Sequence, residues 1–218
     1  MKKTRTQRLI ITALMLAIAF AIAWICQLIP FLSLPFGGGF TIASMLPIVV
    51  VAYMFGTRWG LLTGLVYAII QMLMGHATVA GLFVPGSDSY MILYKALLVC
   101  LIDYILAYTV LGLGGVFRNV CRSKATALCL GSIFAVSLRY IAHIVSGAIF
   151  YGTRAEWFFG QEGLPLGQTI LANFSGTSLA VIYSVVYNGL YMIPEIIITA
   201  VAALVIARLP MITRCEVK

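Results

Sequence analysis

Charge is what this chain has least of. Asp, Glu, Lys and Arg make up 9% of its 218 residues, against about 25% in a soluble domain. Most of its surface therefore meets lipid rather than water. Acid is scarcer than base: six Asp and Glu stand against fourteen Lys and Arg, a formal net charge of +8. That excess does not make a nucleic-acid groove. The basic residues sit in short clusters at the ends of apolar runs: Lys2, Lys3, Arg5 and Arg8; Arg118, Arg122 and Lys124; Arg208, Arg214 and Lys218. Such clusters anchor membrane spans on the cytoplasmic side. The five cysteines (Cys26, Cys100, Cys121, Cys129, Cys215) are odd in number and form no CxxC pair, so neither a disulfide framework nor a zinc site is expected. His76 and His143 are the only histidines, too few for a histidine-rich metal site. No GxxxxGK[ST] phosphate loop, HExxH or GxSxG occurs, and no nucleophile–base pair stands out. Neither catalysis nor a cofactor is expected, and any energy for transport comes from an ion gradient or from partner proteins.

What the chain has in abundance is apolar sequence, 62% of its residues. Hydropathy predicts an all-α membrane domain over 1–218 with six transmembrane helices near 9–29, 41–56, 60–75, 89–113, 126–151 and 178–207. The second and third are short, and are expected to be tilted or partly embedded. The last contains Pro194, which bilayer helices tolerate. The first run resembles a signal peptide at its start but continues to Ile29, long enough to span. With both termini inside, Arg58 and the cluster at 118–124 fall in inner loops, whereas Asp88, Arg154, Glu156 and Glu162 fall outside. This arrangement obeys the positive-inside rule and predicts a multi-pass protein of a bacterial plasma membrane. The outer connections, 30–40, 76–88 and 152–177, are the longer ones and are either lids or linkers.

Ionisable residues inside spans are candidates for function, because each isolated charge costs roughly 2.5–3.5 kcal/mol at mid-helix. Lys95, Asp103, Arg139, His143 and Glu195 are such residues. Lys95 is placed to snorkel to the outer surface. Asp103 and Arg139 are candidates to pair, although the span ends put them about 10 Å apart in height. Glu195 either pairs or is protonated, and no role is assigned to it. Arg139, His143, Gly147 and Tyr151 recur every fourth residue, a stripe on one helix face, and Gly147 lets a ligand or another helix approach the backbone. Tyr183, Tyr187 and Tyr191 form a second stripe beside Asn188, whose amide needs partners within the bilayer. The stripe alone reads equally as an interfacial aromatic belt. Together with Tyr104, these groups describe a pocket with one carboxylate, one amide, one imidazole and several tyrosines, suited to a flat aromatic cation. Ala13, Ala17 and Ala21, also four apart, allow close packing of another helix.

Several segments, in this order and spacing, resemble one family. They are Leu34-Pro35-Phe36-Gly37-Gly38 with Met45-Leu46-Pro47, Arg58-Trp59-Gly60-Leu61, Gly75-His76-Ala77, Asp103-Tyr104, Arg139-Tyr140-Ile141-Ala142-His143, Ser146-Gly147-Ala148-Ile149-Phe150, and Tyr183-Ser184 with Tyr187-Asn188-Gly189. The chain is similar over nearly its whole length to the thiamine-specific substrate-binding (S) components of energy-coupling factor (ECF) transporters, the ThiT/YuaJ family. The resemblance implies a six-helix bundle with both termini cytoplasmic and a thiamine site near the outer face. It further implies an ECF coupling transmembrane subunit and two ATPase subunits as partners. Asp103 stands where the family places an acid facing the thiazolium, with Tyr104 after it. His143, Gly147, Tyr183 and Asn188 match pocket positions, and Arg139 stands at a basic position. Tyr151 stands where some members carry a stacking tryptophan. Ala13, Ala17 and Ala21 match the surface for the coupling subunit. An S component for another vitamin or pyrimidine precursor, a stand-alone carrier with Asp103 or Glu195 as proton site, and a small membrane enzyme are the alternatives.

Overall fold

The structure, a computed structural model, describes residues 4–213 except 33, 35–38, 163 and 165, and of Met211 and Thr213 the backbone alone. Lys2, Lys3, Pro35, Phe36, Gly37, Gly38, Arg214, Cys215 and Lys218 lie outside the described residues. Among the described residues, six apolar helical segments make the bundle: α1 (Arg5–Gln27), α2 (Leu46–Phe55), α3 (Thr57–Met74), α4 (Leu93–Asn119), α5 (Lys124–Phe150) and α6 (Gly176–Ile206). All of them except α2 are long and apolar enough to cross a membrane. Their outward faces carry exposed apolar side chains such as Leu14, Ile18, Leu62 and Ile197, as lipid contact requires.

Local chemistry sets the ends. Thr4 caps α1: its hydroxyl accepts from the amide of Gln7 at 3.2 Å, and the Gln7 side chain accepts from the amide of Thr4 at 3.0 Å. α1 thus begins four residues before the hydropathic run. Ser123 caps α5 by accepting from the amide of Thr126. The connections between α3 and α4 and between α5 and α6 hold short helices, His76–Gly81, Ala155–Phe159 and Gly167–Asn173, within stretches expected to be loop.

The second predicted span, 41–56, is corrected by the structure. Helix α2 begins only at Leu46 and is about 15 Å long. Every residue from Leu46 to Met54 is buried, so α2 is the centre of the bundle rather than a lipid-facing span. Residues 41–45 are not helical, and Ala43 takes a left-handed φ of 57°. Close contact holds α2 and its neighbours together. A Cβ on Gly112 of α4 would strike the backbone of Gly60 and Leu61 in α3, so only glycine allows these helices to touch.

Helix α4 is irregular. Leu93–Val99 is α-helical, Cys100–Leu106 forms a widened i→i+5 turn, and Val110–Asn119 is wound tightly. Widened turns of this kind are uncommon and concentrate at functional sites. Here the turn carries Asp103 and Tyr104.

Candidate functional site

One cavity of about 150 Å³ opens between α4, α5 and α6. All eight residues that the sequence reading grouped as substrate contacts line it: Asp103, Tyr104, Arg139, His143, Gly147, Tyr151, Tyr183 and Asn188. Thr78, Leu82, Val99, Tyr108, Tyr187 and Tyr191 complete the lining.

The acid in the cavity does not pair as expected. Asp103 and Arg139 make no ion pair among the described residues. Asp103 Oδ1 lies 2.9 Å from His143 Nδ1, and the Ser146 hydroxyl donates to Asp103 Oδ2 at 2.7 Å. His143 stands one turn, about 6 Å, further along α5 than Arg139, and the carboxylate meets the imidazole there instead of the guanidinium. With the Nδ1 proton donated to the carboxylate, His143 Nε2 is left as an acceptor. That atom is buried and has no hydrogen-bond partner among the described residues.

Arg139 is held by other groups. Its Nη2 donates to the Tyr108 hydroxyl at 3.0 Å, its Nη1 to Met45 Sδ at 2.9 Å, and its guanidinium carbon sits 4.4 Å from the Tyr108 ring centroid. The tyrosine face lies against the guanidinium, and the Glu195 carboxylate is within electrostatic range of it. Tyr67, wholly buried, packs at right angles to Tyr108, 5.4 Å between centroids.

Gly147 serves helix packing as well as the cavity. A Cβ there would collide with Ser184 Oγ and come within 3.1 Å of Asn188 Nδ2. The space lets α6 dock on α5: Ser184 donates to the Ile144 carbonyl at 2.8 Å, and Asn188 Nδ2 donates to the carbonyls of Ser184 at 2.9 Å and His143 at 3.3 Å. Asn188 Oδ1 accepts from the Tyr191 hydroxyl at 2.6 Å. The amide thus finds its partners within the protein, as the cost of leaving it unpaired demands.

The tyrosine stripe of α6 is not an interfacial belt. Tyr183, Tyr187 and Tyr191 are 2%, 6% and 5% exposed. Tyr183 and Tyr187 lie 5.5 Å apart, and Phe158 from the short helix Ala155–Phe159 packs edge-on against both. Arg154 stacks on Tyr151 at 5.3 Å and donates to the Asp88 carbonyl at 3.2 Å. It ties the connection before α4 to the one after α5, beside the cavity.

Glu195, which had no assigned role, is 1% exposed. Its Oε2 accepts from the amide of Thr41 at 3.0 Å and the Thr41 hydroxyl at 2.9 Å. The Ser44 hydroxyl donates to Thr41 Oγ1 at 2.8 Å. Lys95 stands in the first turn of α4. Ala13, Ala17 and Ala21 are exposed on α1, while Ala19 and Ala23 pack inward. Among the described residues no group of three or more His, Cys, Asp or Glu could hold a metal ion.

Sequence reasoning missed Tyr108, Ser146 and Thr78. Tyr108 follows Tyr104 by four residues, a spacing that could have flagged it. Ser146 was noticed only as part of a motif. Thr78 comes from a connection that gave no sign of its orientation.

The family model "Thiamine transporter protein (Thia_YuaJ)" matches residues 10–161. The chain is 32% identical over 203 residues to the thiamine transporter ThiT of Bacillus subtilis (strain 168), covering 89% of this chain and 86% of that protein. A solved structure of ThiT from Listeria monocytogenes shares the fold with a TM-score of 0.62 at 21% identity, over 95% of this chain and 97% of that one. On the family match and the identity along most of its length, this chain is a member of the thiamine transporter (Thia_YuaJ) family.

Proposed function

We propose that this chain binds thiamine in the cavity between α4, α5 and α6 and serves as the S component of an ECF-type uptake transporter. The observation that carries this reading is Asp103, a carboxylate held by His143 and Ser146 in a cavity walled by tyrosines. Thiamine joins a cationic thiazolium to an aminopyrimidine. The carboxylate supplies the counter-charge, and the rings of Tyr151, Tyr183 and Tyr187 offer faces that attract cations and stack on flat groups. His143 Nε2 is an acceptor suited to an amine N–H. Asn188 is committed to α5 and Tyr191, so its part is to fix the wall rather than to offer a free amide.

The chain crosses a bacterial plasma membrane six times with both ends inside and forms one membrane domain, in this reading. The charge distribution supports it: Arg5, Arg8, Arg58, Arg118, Arg122, Lys124 and Arg208 gather at one end of the bundle, and Asp88, Glu156 and Glu162 at the other. α2 counts as a crossing only together with residues 39–45 above it. The exposed alanines Ala13, Ala17 and Ala21 provide a close-packing face for the coupling subunit, which with two ATPase subunits supplies the energy.

Calorimetry of the detergent-purified protein with thiamine, riboflavin and the pyrimidine half of thiamine tests the ligand. Heat with thiamine and none with riboflavin is the expected result. Heat with riboflavin alone would overturn the proposal. Uptake into vesicles only when the ATPase subunits are present is the result expected for the partners.

A further inference from the structure

Next to the cavity, one turn along α6 from Tyr191, lies a second carboxylate. Tyr187, Tyr191 and Glu195 follow at four-residue spacing and are all buried, so they share one face of the helix. Glu195 stands about 6 Å beyond Tyr191 along the axis and does not line the cavity. Its hydrogen bonds are those of an ionised acid. The Thr41 amide can only donate, and the Thr41 hydroxyl, which accepts from Ser44, turns its own proton to Glu195 Oε2. Thr199 Oγ1 lies 3.5 Å from Oε1. A group that accepts at both oxygens is a carboxylate. Arg139 is within electrostatic range of it but forms no ion pair with Asp103 or Glu195 among the described residues. The charges can therefore be counted. Asp103 and Arg139 cancel, and His143, with Nδ1 on Asp103 and Nε2 bare, is neutral. Glu195 leaves the buried group one charge negative. Arg154 on the Tyr151 ring is the nearest further cation, and it belongs to a connection in water, where its field is screened.

We propose that Glu195 is a specificity-determining residue that makes the cavity prefer a cationic ligand over a neutral one, acting through its charge and without touching the ligand. The inference rests on the thiamine reading above and deepens it. Asp103 alone would face the ligand with its charge offset by Arg139. With Glu195 beneath, Arg139 is offset from behind and the field of Asp103 stands uncancelled. Burial is what lets a charge act at this distance, because little water screens it. At an effective dielectric of about 20 and a separation of about 10 Å, one unit charge changes the affinity for a cation about five- to twentyfold. The hydrogen bonds to Thr41 serve this end as well, since they hold the carboxylate ionised in a dry place.

The test is calorimetry of the detergent-purified full chain with thiamine and with its neutral pyrimidine half, read as the ratio of the two affinities. Glu195→Gln should lower that ratio about five- to twentyfold. Glu195→Asp keeps the charge and should keep the ratio. Thr41→Val removes a hydrogen bond to Glu195 but no charge, so it should lower the melting temperature and leave the ratio near that of the wild type. A role confined to holding residues 41–45 in place predicts the reverse: Glu195→Gln would weaken both ligands alike, and that result overturns the inference. Absence of heat with thiamine in the wild type would instead sink the ligand reading itself, so the two failures are distinct. Should Glu195→Gln not fold, infrared spectra of the wild type grown on isotope-labelled glutamate decide. No labelled band of a protonated carboxyl is expected at neutral pH, and such a band would show Glu195 uncharged and refute the proposal.

Discussion

Glu195 and Thr41 are joined by two hydrogen bonds to one carboxylate oxygen, across a separation of 154 residues. This contact brings the chain between α1 and α2 down to the middle of α6. Backbone that is not helical at that depth must be satisfied by protein, and Glu195 accepts the Thr41 amide that would otherwise be unpaired. At the other end of this segment, Met45 accepts from Arg139, a cavity residue. Glu195→Ala should therefore destabilise the protein by about 1–3 kcal/mol, the cost of an unsatisfied buried donor, and Glu195→Gln by less, since an amide oxygen can still accept. Thermal melting in detergent checks this, and equal melting temperatures for wild type and Glu195→Ala would contradict it.

Asp103 faces the cavity with His143 and Ser146 holding its two oxygens. Asp103→Asn should weaken thiamine binding about ten- to hundredfold, the range for a charge-assisted contact. Binding of the neutral pyrimidine half should fall much less. Calorimetry with both ligands measures the two losses, and equal losses would mean that the acid does not meet the cation.

Gly147 is where α5 and α6 touch. Gly147→Ala forces its Cβ onto Ser184 and should cost about 1–3 kcal/mol, as overpacking does. Adding Ser184→Ala removes the obstructing hydroxyl and should recover part of the loss. A double-mutant cycle of melting temperatures reads the coupling. Strict additivity would show that the two side chains do not compete for the same space.

Arg139 is fixed by its planar fork, one arm on Tyr108 and one on Met45. Arg139→Lys keeps the charge but loses the fork and the stacking on Tyr108. Thiamine affinity should drop while Tyr108→Phe, which removes only the hydroxyl, costs less. Titrations of the two variants side by side decide between the fork and the bare charge.

Periodicity and charge placement carried the reading a long way, because the constraints of a bilayer are written locally. Runs of apolar residues located α1, α3, α4, α5 and α6 to within several residues, and four-residue spacing placed Arg139, His143, Gly147 and Tyr151 on one face of α5. What was hidden depends on contacts between distant segments. The partner of Asp103 is set by relative helix depth, which uncertain span ends blur. Glu195 looked unexplained because its partner Thr41 was read as part of a helix. Tyr108 shares a face with Tyr104 at four-residue spacing, but a lone tyrosine in an apolar run carries no charge to mark it as unusual, so it does not stand out without its contact to Arg139. Thr78 and Leu82 reach the cavity from a connection whose short helix has no apolar period long enough to orient it.

The brevity of α2 also bears on biogenesis. Ten apolar residues are too few to anchor in a bilayer by themselves, and a single glycine, Gly56, separates α2 from α3. During synthesis the two must therefore enter the lipid as one hairpin, with α3 providing the hold. α2 then waits for α4, α5 and α6 to close around it, so its final position is earned by assembly rather than by its own partitioning.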